Sequence, residues 1–209
     1  SWEKLQIIFA TKNGNIRRNQ LSDFTNIRQN GKIAMKLNEK DELVSVIPCG
    51  EKDNILLATR LGKAIRFDVH DVRVFVGRGS SGVRGIRLKP NDFVVSMSLI
   101  PKEEKRFVLS VTENGFGKRT LVDDYRMTNR GGQGVANIEC STRNGPVVAS
   151  YVASEDDQIM LVTNSGKLIR IRVHGGEGDS IRVAGRKTQG VRLFDVDEGE
   201  KVVSVALLN

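Results

Sequence analysis

The sequence predicts an all-β protein in which a unit of about fifty residues occurs four times. Glycine is abundant, with 21 residues, while proline is scarce, with four. Short runs of β-branched residues alternate with Asn-Gly, Leu-Gly and Ser-Gly steps, and apolar residues at helical spacing are hard to find. A composition of 39% hydrophobic and 28% charged residues indicates a globular chain that is neither disordered nor embedded in a membrane.

Each unit opens with an apolar strand that ends in threonine and continues into a turn that ends in glycine. The turn glycines lie 48, 53 and 51 residues apart, and they are Gly14, Gly62, Gly115 and Gly166. Such turn chemistry between two β-rich runs predicts a hairpin. Four hairpins at nearly constant spacing indicate an internal repeat.

A second glycine opens a predicted third strand, and an apolar run closes each unit as a fourth. The second glycines are Gly31, Gly82, Gly134 and Gly190, and the closing strands begin at Leu43, Val94, Val147 and Val202. The approximate repeats are 5–54, 55–106, 107–158 and 159–209, within one domain over 1–209. A four-stranded unit of this size must pack against its neighbours, which predicts the blades of a propeller-like fold. A continuous β-sandwich with evenly spaced hairpins is the alternative.

The charges follow the repeat. The formal net charge is +8. The segments from each turn glycine through the third strand (14–37, 62–89, 115–138 and 166–194) hold 23 Lys or Arg against 7 Asp or Glu. The segments that follow them (38–54, 90–106, 139–158 and 195–209) hold 7 basic and 16 acidic residues. If the units surround an axis, the basic segments form one continuous band, which favours a polyanionic partner.

Two sets of basic residues are the candidate phosphate contacts. Arginine stands four residues after every turn glycine, at Arg18, Arg66, Arg119 and Arg170, and Lys118 precedes one of them. The second set surrounds the second glycines and consists of Arg28, Arg78, Arg84, Arg130, Arg186, Lys187 and Arg192. Arginine and backbone amides of glycine-rich turns both suit phosphate oxygens. The alternatives are an ion pair with a neighbouring acidic segment for the recurrent arginine, and ordinary solvation for the loop set.

The low aromatic content favours a double-stranded over a single-stranded nucleic acid. Only 5% of residues are aromatic, and none recurs in the basic segments as a base-stacking platform requires. A curved basic rim suits the duplex backbone, which is bound by phosphate neutralisation with little sequence preference.

Catalytic, metal and nucleotide sites are not indicated. Cys49 and Cys140 are isolated, which disfavours zinc and fits a reducing cytoplasm. Residues 77–82 match G-x-G-x-x-G, but a strand rather than a helix follows them. His70 and His174 have no nucleophile or carboxylate at a recognisable spacing. Neither a signal peptide nor a bilayer-spanning run is expected.

Several sequence segments resemble the C-terminal domain of the DNA gyrase A protein, and the resemblance extends over essentially the whole chain. They are ATKNGNIRR, GKIAMKL, GVRGIRL, TENGFGKRT, IMLVTNSGKLIRIRV and GRKTQGV. The resemblance implies a β-pinwheel, a propeller-like ring whose blades exchange strands. The family has six blades as a rule, and this chain resembles the last four.

The resemblance also implies a function. The family wraps duplex DNA around its outer rim with positive handedness and so supports ATP-dependent negative supercoiling by gyrase. The catalytic tyrosine, the ATP and Mg²⁺ site and the contact with the gyrase B protein in the A2B2 enzyme lie outside this chain, so no cofactor is expected here. The related domain of topoisomerase IV and a protein-interaction propeller without a nucleic-acid role are the alternatives.

One motif departs from the family. The signature box Q-R-R-G-G-[KR]-G has no full copy in this sequence, and the segment most similar to it is residues 129–134 (NRGGQG). This departure implies weaker binding or bending of DNA than by the intact domain.

Overall fold

The computed structural model describes residues 2–102, 104–176 and 179–209, and it confirms the all-β prediction. Short 3-10 helices span Trp2–Lys4, Leu21–Phe24, Val69–Asp71 and Val122–Asp124. The strands are β1 (Gln6–Thr11), β2 (Asn15–Gln20), β3 (Leu43–Cys49), β4 (Asn54–Thr59), β5 (Lys63–Asp68), β6 (Val74–Phe75), β7 (Val83–Arg84), β8 (Val94–Ile100), β9 (Phe107–Thr112), β10 (Phe116–Leu121), β11 (Val135–Ala136), β12 (Val147–Ala153), β13 (Gln158–Thr163), β14 (Leu168–Arg172), β15 (Val191–Arg192) and β16 (Val202–Leu208). None of the helices in the described residues is long and apolar enough to cross a membrane.

The predicted hairpins are present, and the recurrent threonine closes their turns. In the first hairpin the backbone N–H of Gly14 donates to the carbonyl of Thr11, at 3.0 Å. The backbone N–H of Asn15 donates to Oγ1 of the same threonine, at 3.1 Å. The turns at Thr59 and Thr163 repeat both bonds. A threonine therefore satisfies the two donors of a turn whose glycine has φ near 90°.

The four sheets are arranged side by side with their closing strands innermost. Each sheet runs from the closing strand to the two hairpin strands, for example β3-β1-β2 and β8-β4-β5. The closing strands β3, β8, β12 and β16 contact one another in sequence order. Since these strands gather at the centre, the second hairpin strand of each sheet faces outward.

The strand that follows each second glycine belongs to the sheet of the preceding unit. Strand β7 pairs with β2, β11 with β5, and β15 with β10. This is the exchange of strands between blades that the family resemblance implied and that the periodicity alone did not indicate. Each of these exchanged strands is only two residues long.

The first and the last unit of the array each lack one of the strand pairings that the interior units make. Residues 31–37 of the first unit were predicted to form a strand, but they form no strand in the structure. At the other end, the sheet of the fourth unit contains β14, β13 and β16 only. In the described residues, no preceding unit receives 31–37 and no following unit supplies a partner for β14.

The hydrophobic core is shared between neighbouring units. One cluster joins Ile8 and Ile16 of the first unit to Ile65 and Ile86 of the second. Tyr125 is buried, and its hydroxyl donates to Oδ1 of Asn137 at 2.5 Å. Tyr125 is therefore a core residue, and its burial raises the pKa of its hydroxyl. Because the apolar surface of one unit is covered by the next, the units stabilise one another in the manner of a repeat protein.

Candidate nucleic-acid interface

Strand exchange places the glycine-rich basic loops at the outer ends of the sheets. We define the basic band as residues 28–36, 73–87, 126–136 and 182–192. These four segments contain thirteen Lys or Arg and no Asp or Glu. A surface of one charge sign across successive units attracts a polyanion.

A recurrent arginine joins each loop of the basic band to the one before it. Arginine stands four residues before the second glycine at Arg78, Arg130 and Arg186. The guanidinium of each donates to the carbonyl two residues after the second glycine of the preceding unit. The accepting carbonyls are those of Ile33 for Arg78, of Arg84 for Arg130 (3.0 Å) and of Ala136 for Arg186 (2.9 Å). The same bond at three junctions makes the band continuous.

Backbone bonds reinforce these junctions. The N–H of Gly131 donates to the carbonyl of Gly85 at 2.7 Å, and the N–H of Arg87 donates to that of Gly132 at 2.8 Å. At the next junction, the N–H of Glu139 donates to the carbonyl of Thr188 at 3.0 Å. The loops are therefore held by the protein itself and do not depend on a ligand for their arrangement.

The arginine four residues after the turn glycine is buried or half-buried between units in three of the four units. Arg18 and Arg119 are each only 5% exposed, and Arg66 is half-buried. Nη1 of Arg66 donates to the carbonyls of Val122 and Tyr125, at 3.2 and 3.1 Å. Burial lowers the pKa of Arg18 and of Arg66. The expectation that these three side chains face outward toward phosphate is therefore wrong.

The bonds of Arg119 show what this position does. Nε of Arg119 donates to the carbonyl of Ile181 at 2.7 Å, while its Nη1 lies 3.5 Å from a carboxylate oxygen of Glu155. The main contact is thus a carbonyl of the next unit, and the ion pair considered as the alternative is secondary. Arg18, Arg66 and Arg119 all sit where a parallel bridge joins the following unit, opposite Val74, Met127 and Val183.

Arg170 differs from its three counterparts. It lies exposed on β14, and its Nε donates to Oε1 of Gln158 at 2.6 Å. No following unit covers it in the described residues, so it stays on the surface.

Two buried cationic side chains donate hydrogen bonds to the basic loops. Arg17, with 0% exposure, donates to the carbonyls of Arg78 (3.0 Å) and Ser80 (2.7 Å). Lys118, with 1% exposure, donates through Nζ to the carbonyls of Gly185 and Arg186 and to the hydroxyl of Thr188. Lys118 was predicted to contact DNA, and its burial corrects that expectation. Burial, assisted by the nearby charge of Arg186, lowers its pKa to about 8.

The Lys118 ammonium makes stability depend on pH in a defined direction. Between pH 8 and pH 10.5 the unfolded state holds a proton that the folded state has lost. The free energy of unfolding, taken relative to a Lys118→Met variant, should therefore rise with pH, by up to about 3 kcal/mol. Urea unfolding of both proteins across this pH range measures the difference between their free energies of unfolding. The contributions of other titrating groups are the same in both proteins and cancel in this difference. Lys36→Met, at an exposed position, controls for the loss of one charge, and a constant difference for Lys118→Met would contradict the assignment.

The remaining predicted residues lie at or near the surface of the band. Arg28, Arg84, Lys187 and Arg192 are exposed, whereas Arg78, Arg130 and Arg186 are half-buried in their junction bonds. Nη1 of Arg192 lies 2.8 Å from Oδ1 of Asp195, an exposed pair that competes weakly with a ligand. In the parts of the chain that the structure describes, Arg28, Arg84 and Lys187 form no salt bridge.

A third recurrent arginine was missed by the sequence reasoning. Arg73, Arg126 and Arg182 are all exposed, and each directly follows a buried residue, namely Val72, Tyr125 and Ile181. The spacing to the second glycine is nine residues for Arg73 and eight for Arg126 and Arg182, so this arginine does not recur at one fixed offset. The signal was a buried apolar residue followed by arginine, in the sequences VR, YR and IR.

The basic band is the outstanding surface feature, and a metal centre is not. Among the described residues, no group of three or more His, Cys, Asp or Glu could hold a metal ion. The band instead presents exposed guanidinium and ammonium groups on successive loops that hydrogen bonds within the protein hold in place, which suits a polyanion.

Comparison with known families agrees with the fold and the repeat. The family model described as "DNA gyrase C-terminal domain, beta-propeller" matches residues 6–50, 53–101, 106–145 and 157–209. The chain belongs to this DNA gyrase C-terminal domain family. The resemblance seen in the sequence is therefore confirmed, and the four matched stretches confirm four repeats.

Relatives and solved structures agree with this assignment. The DNA gyrase A protein of Rickettsia felis is 43% identical over 253 residues, which cover 99% of this chain and 27% of the relative. The gyrase A protein of Staphylococcus epidermidis is 41% identical over 207 residues, covering 99% and 22%. The chain thus spans about a quarter of the length of these relatives. A DNA gyrase A C-terminal domain superposes with a TM-score of 0.86 at 29% identity, over 99% of this chain and 67% of that one.

The fold is shared with the other type IIA topoisomerase. The C-terminal domain of DNA topoisomerase IV superposes with a TM-score of 0.88 at 26% identity, covering 98% of this chain and 62% of that one. The two structural similarities are close to each other, so the fold does not separate the two enzymes. The gyrase C-terminal family model and the gyrase relatives assign this chain to the gyrase branch.

Proposed function

We propose that this gyrase C-terminal domain binds duplex DNA along the basic band and bends it around the outer rim, without catalysing a reaction itself. The observation that carries the proposal is the continuous band, in which thirteen basic and no acidic residues follow one another through four loops. A protein-docking propeller has no need of such a surface. The relatives named as gyrase A proteins support the same function.

The contacts proposed for phosphate are the exposed members of the band. They comprise the predicted Arg28, Arg84, Lys187 and Arg192 together with the additional Lys36, Arg73, Arg87, Arg126 and Arg182. The half-buried Arg78, Arg130 and Arg186 keep the loops in register and add positive potential. Arg170 lies beside the band on β14. The buried Arg18, Lys118 and Arg119 are assigned to holding the loops.

The arrangement of the sheets supports bending. The basic loops lie outward while the closing strands gather at the centre, so a duplex that touches all four loops must curve. Smooth bending of a short duplex costs about 1–6 kcal/mol, which several phosphate contacts offset. Within a complete gyrase, this bend would present DNA for ATP-dependent strand passage. The breaking and rejoining tyrosine, the ATP and Mg²⁺ site and the gyrase B protein would be supplied by other parts of that cytoplasmic enzyme.

The first test is the salt dependence of binding to linear duplex DNA. With about six phosphate contacts, the association constant should fall about 1,000-fold between 50 and 200 mM salt, because each contact releases condensed counterions. Fluorescence anisotropy with two unrelated sequences of equal length measures both the slope and the weak sequence preference. Binding that ignores salt, or absence of binding at low salt, would overturn the proposal.

Bending has a separate readout. A duplex labelled with a fluorophore at each end should show increased energy transfer when the domain is bound, since the ends approach one another. If the chain binds with the predicted salt dependence but the distance between the duplex ends does not change, the proposed DNA binding is supported and the proposed DNA bending is contradicted.

A further inference from the structure

Val76 carries the most exposed large apolar side chain in the described part of the chain. Its exposed fraction is 100%, although valine is among the residues most often found in protein interiors. It opens the loop of residues 76–82 between β6 and β7, within the basic band. Strand β6 pairs with β2 of the preceding unit, so this side chain lies at an interior junction of the array.

Val76 projects from a point that the protein holds fixed. Nδ2 of Asn19, a residue with 0% exposure, donates to the carbonyl of Phe75 at 3.2 Å and to the carbonyl of Gly77 at 2.8 Å. The buried Arg17 binds two further carbonyls of the same loop. Since the backbone on both sides of Val76 is bound to buried side chains, a partner that touches the valine has little loop ordering to offset.

The surroundings of Val76 restrict the chemistry of its partner. Residues 73–87 contain four arginines and no Asp or Glu. The guanidinium of Arg73 covers the ring of Phe75, 3.8 Å from its centre, so the valine is the fully exposed apolar side chain of this loop. A matching partner presents negative charge on both sides of an apolar group. Duplex DNA has this arrangement, because phosphates border each groove and the thymine methyl group lies in the major groove.

The direction of the proposed bend decides between the two grooves. The side of a duplex that faces a curved protein is compressed, and the minor groove is only about 6 Å wide before bending, against about 12 Å for the major groove. Wedging a side chain between base pairs from the protein side opens the stack there, which kinks the duplex away from the side chain. That kink would oppose the proposed bend, so a contact inside the wider groove, without unstacking, fits the arrangement.

We propose that Val76 enters the major groove of bound DNA and packs against the C5-methyl group of thymine. This contact rests on the proposed binding of duplex DNA along the basic band, and it adds selectivity for thymine at one point of the bound site. Apolar side chains discriminate thymine in this way because the methyl group is removed from water on contact. One such contact gives about a fourfold preference, which is compatible with weak sequence preference overall.

The equivalent loops of the next two units lack this contact. Strand pairing defines the equivalent positions, since each loop bridges to the preceding unit at Val74, Met127 and Val183. Two residues further along, the chain carries Val76, Asn129 and Gly185. Asparagine therefore occupies this position in the third unit, and Val76→Asn should leave thermal melting unchanged because it replaces a fully exposed side chain.

Replacing thymine by uracil tests the contact, because the two bases differ only in the C5-methyl group. An alternating T–A duplex of about 30 base pairs offers the methyl group at every base pair, so every binding position supplies it. Fluorescence anisotropy should show about fourfold tighter binding to this duplex than to its uracil counterpart. Val76→Asn should lose the preference, and Val76→Ile should retain it. Comparing the affinity ratio of the chain with that of Val76→Asn cancels any effect of the methyl group on duplex stiffness.

A second pair of duplexes and a matched variant complete the test. Methylating C5 of every cytosine in an alternating G–C duplex adds the same group in the major groove and should strengthen binding by a similar factor. Val203→Asn, at a residue that is 56% exposed on β16 and outside the band, should behave like the unaltered chain. Equal ratios for the chain and Val76→Asn would overturn the groove contact, while the salt slope described above would show that duplex binding remains. Absence of binding to every duplex at low salt would overturn the proposed DNA binding and this contact with it.

Discussion

Gly62→Ala is expected to lower the free energy of unfolding by about 3–4 kcal/mol. The residue has φ +88°, where an L side chain is strained by about 1–2 kcal/mol. In addition, its new Cβ would lie 2.2 Å from the carbonyl oxygen of Ile138, so the exchanged loop of the next unit must move. Urea unfolding of the chain and the variant, followed by circular dichroism, measures the loss.

Gly166→Ala is the matched control for this experiment. Gly166 occupies the same turn position with φ +85°, but a Cβ there meets nothing within 4 Å. Its cost should be the backbone strain alone, about 1–2 kcal/mol. The difference between the two variants then isolates the contact between units. Equal losses at the two positions would mean that strand exchange does not constrain the turn glycine.

Reversing three charges on the basic band should weaken DNA binding by about 100-fold or more at moderate salt. The variant combines Arg84→Glu, Arg126→Glu and Lys187→Glu, which lie on three different loops and are all exposed. Each reversal removes one phosphate contact and adds repulsion, so the salt slope should also fall by about one for each residue. Fluorescence anisotropy at several salt concentrations measures both quantities.

A control variant with the same change in net charge distinguishes phosphate contacts made by the basic band from the general attraction between a basic protein and DNA. Lys52, Lys102 and Lys105 are exposed and lie in the segments outside the band. Their reversal should reduce affinity far less and leave the salt slope nearly unchanged. A comparable loss in both triple variants would show that overall charge governs binding. Unchanged melting of both proteins is expected, since none of the six side chains is buried.

Arg66 and Arg119 occupy equivalent positions in neighbouring units. Recurrence at a fixed offset from a turn glycine predicted that Arg66 and Arg119 share one role, and they do share one. The predicted role was wrong for them, because each guanidinium donates to a carbonyl of the following unit instead of facing outward. A recurring residue type reports an equivalent environment, but it does not tell which partner fills that environment. The arginines at 73, 126 and 182, whose recurrence is less regular, are the ones that reach the surface.

Local physical chemistry explains why the hairpins were predictable and the exchanged strands were not. The turn at Thr11 and Gly14 is made by bonds within five residues, so its signal lies in adjacent letters of the sequence. The pairing of Val83 with Ile16 joins residues far apart in the chain. From the sequence alone, the segment after Gly82 could equally pair within its own unit. The resemblance to a known family, and not the periodicity, pointed to the exchange.

By itself, the sequence determined the repeat, the all-β architecture, the hairpin turns and the phase of the charge with the repeat, because each depends on neighbouring residues or on composition within a unit. Only the tertiary structure decided which unit receives each strand, which cations are buried and which remain available to a polyanion. These properties depend on carbonyls and apolar side chains brought together from different units. Their positions follow from packing in three dimensions, so no single unit contains the information that sets them.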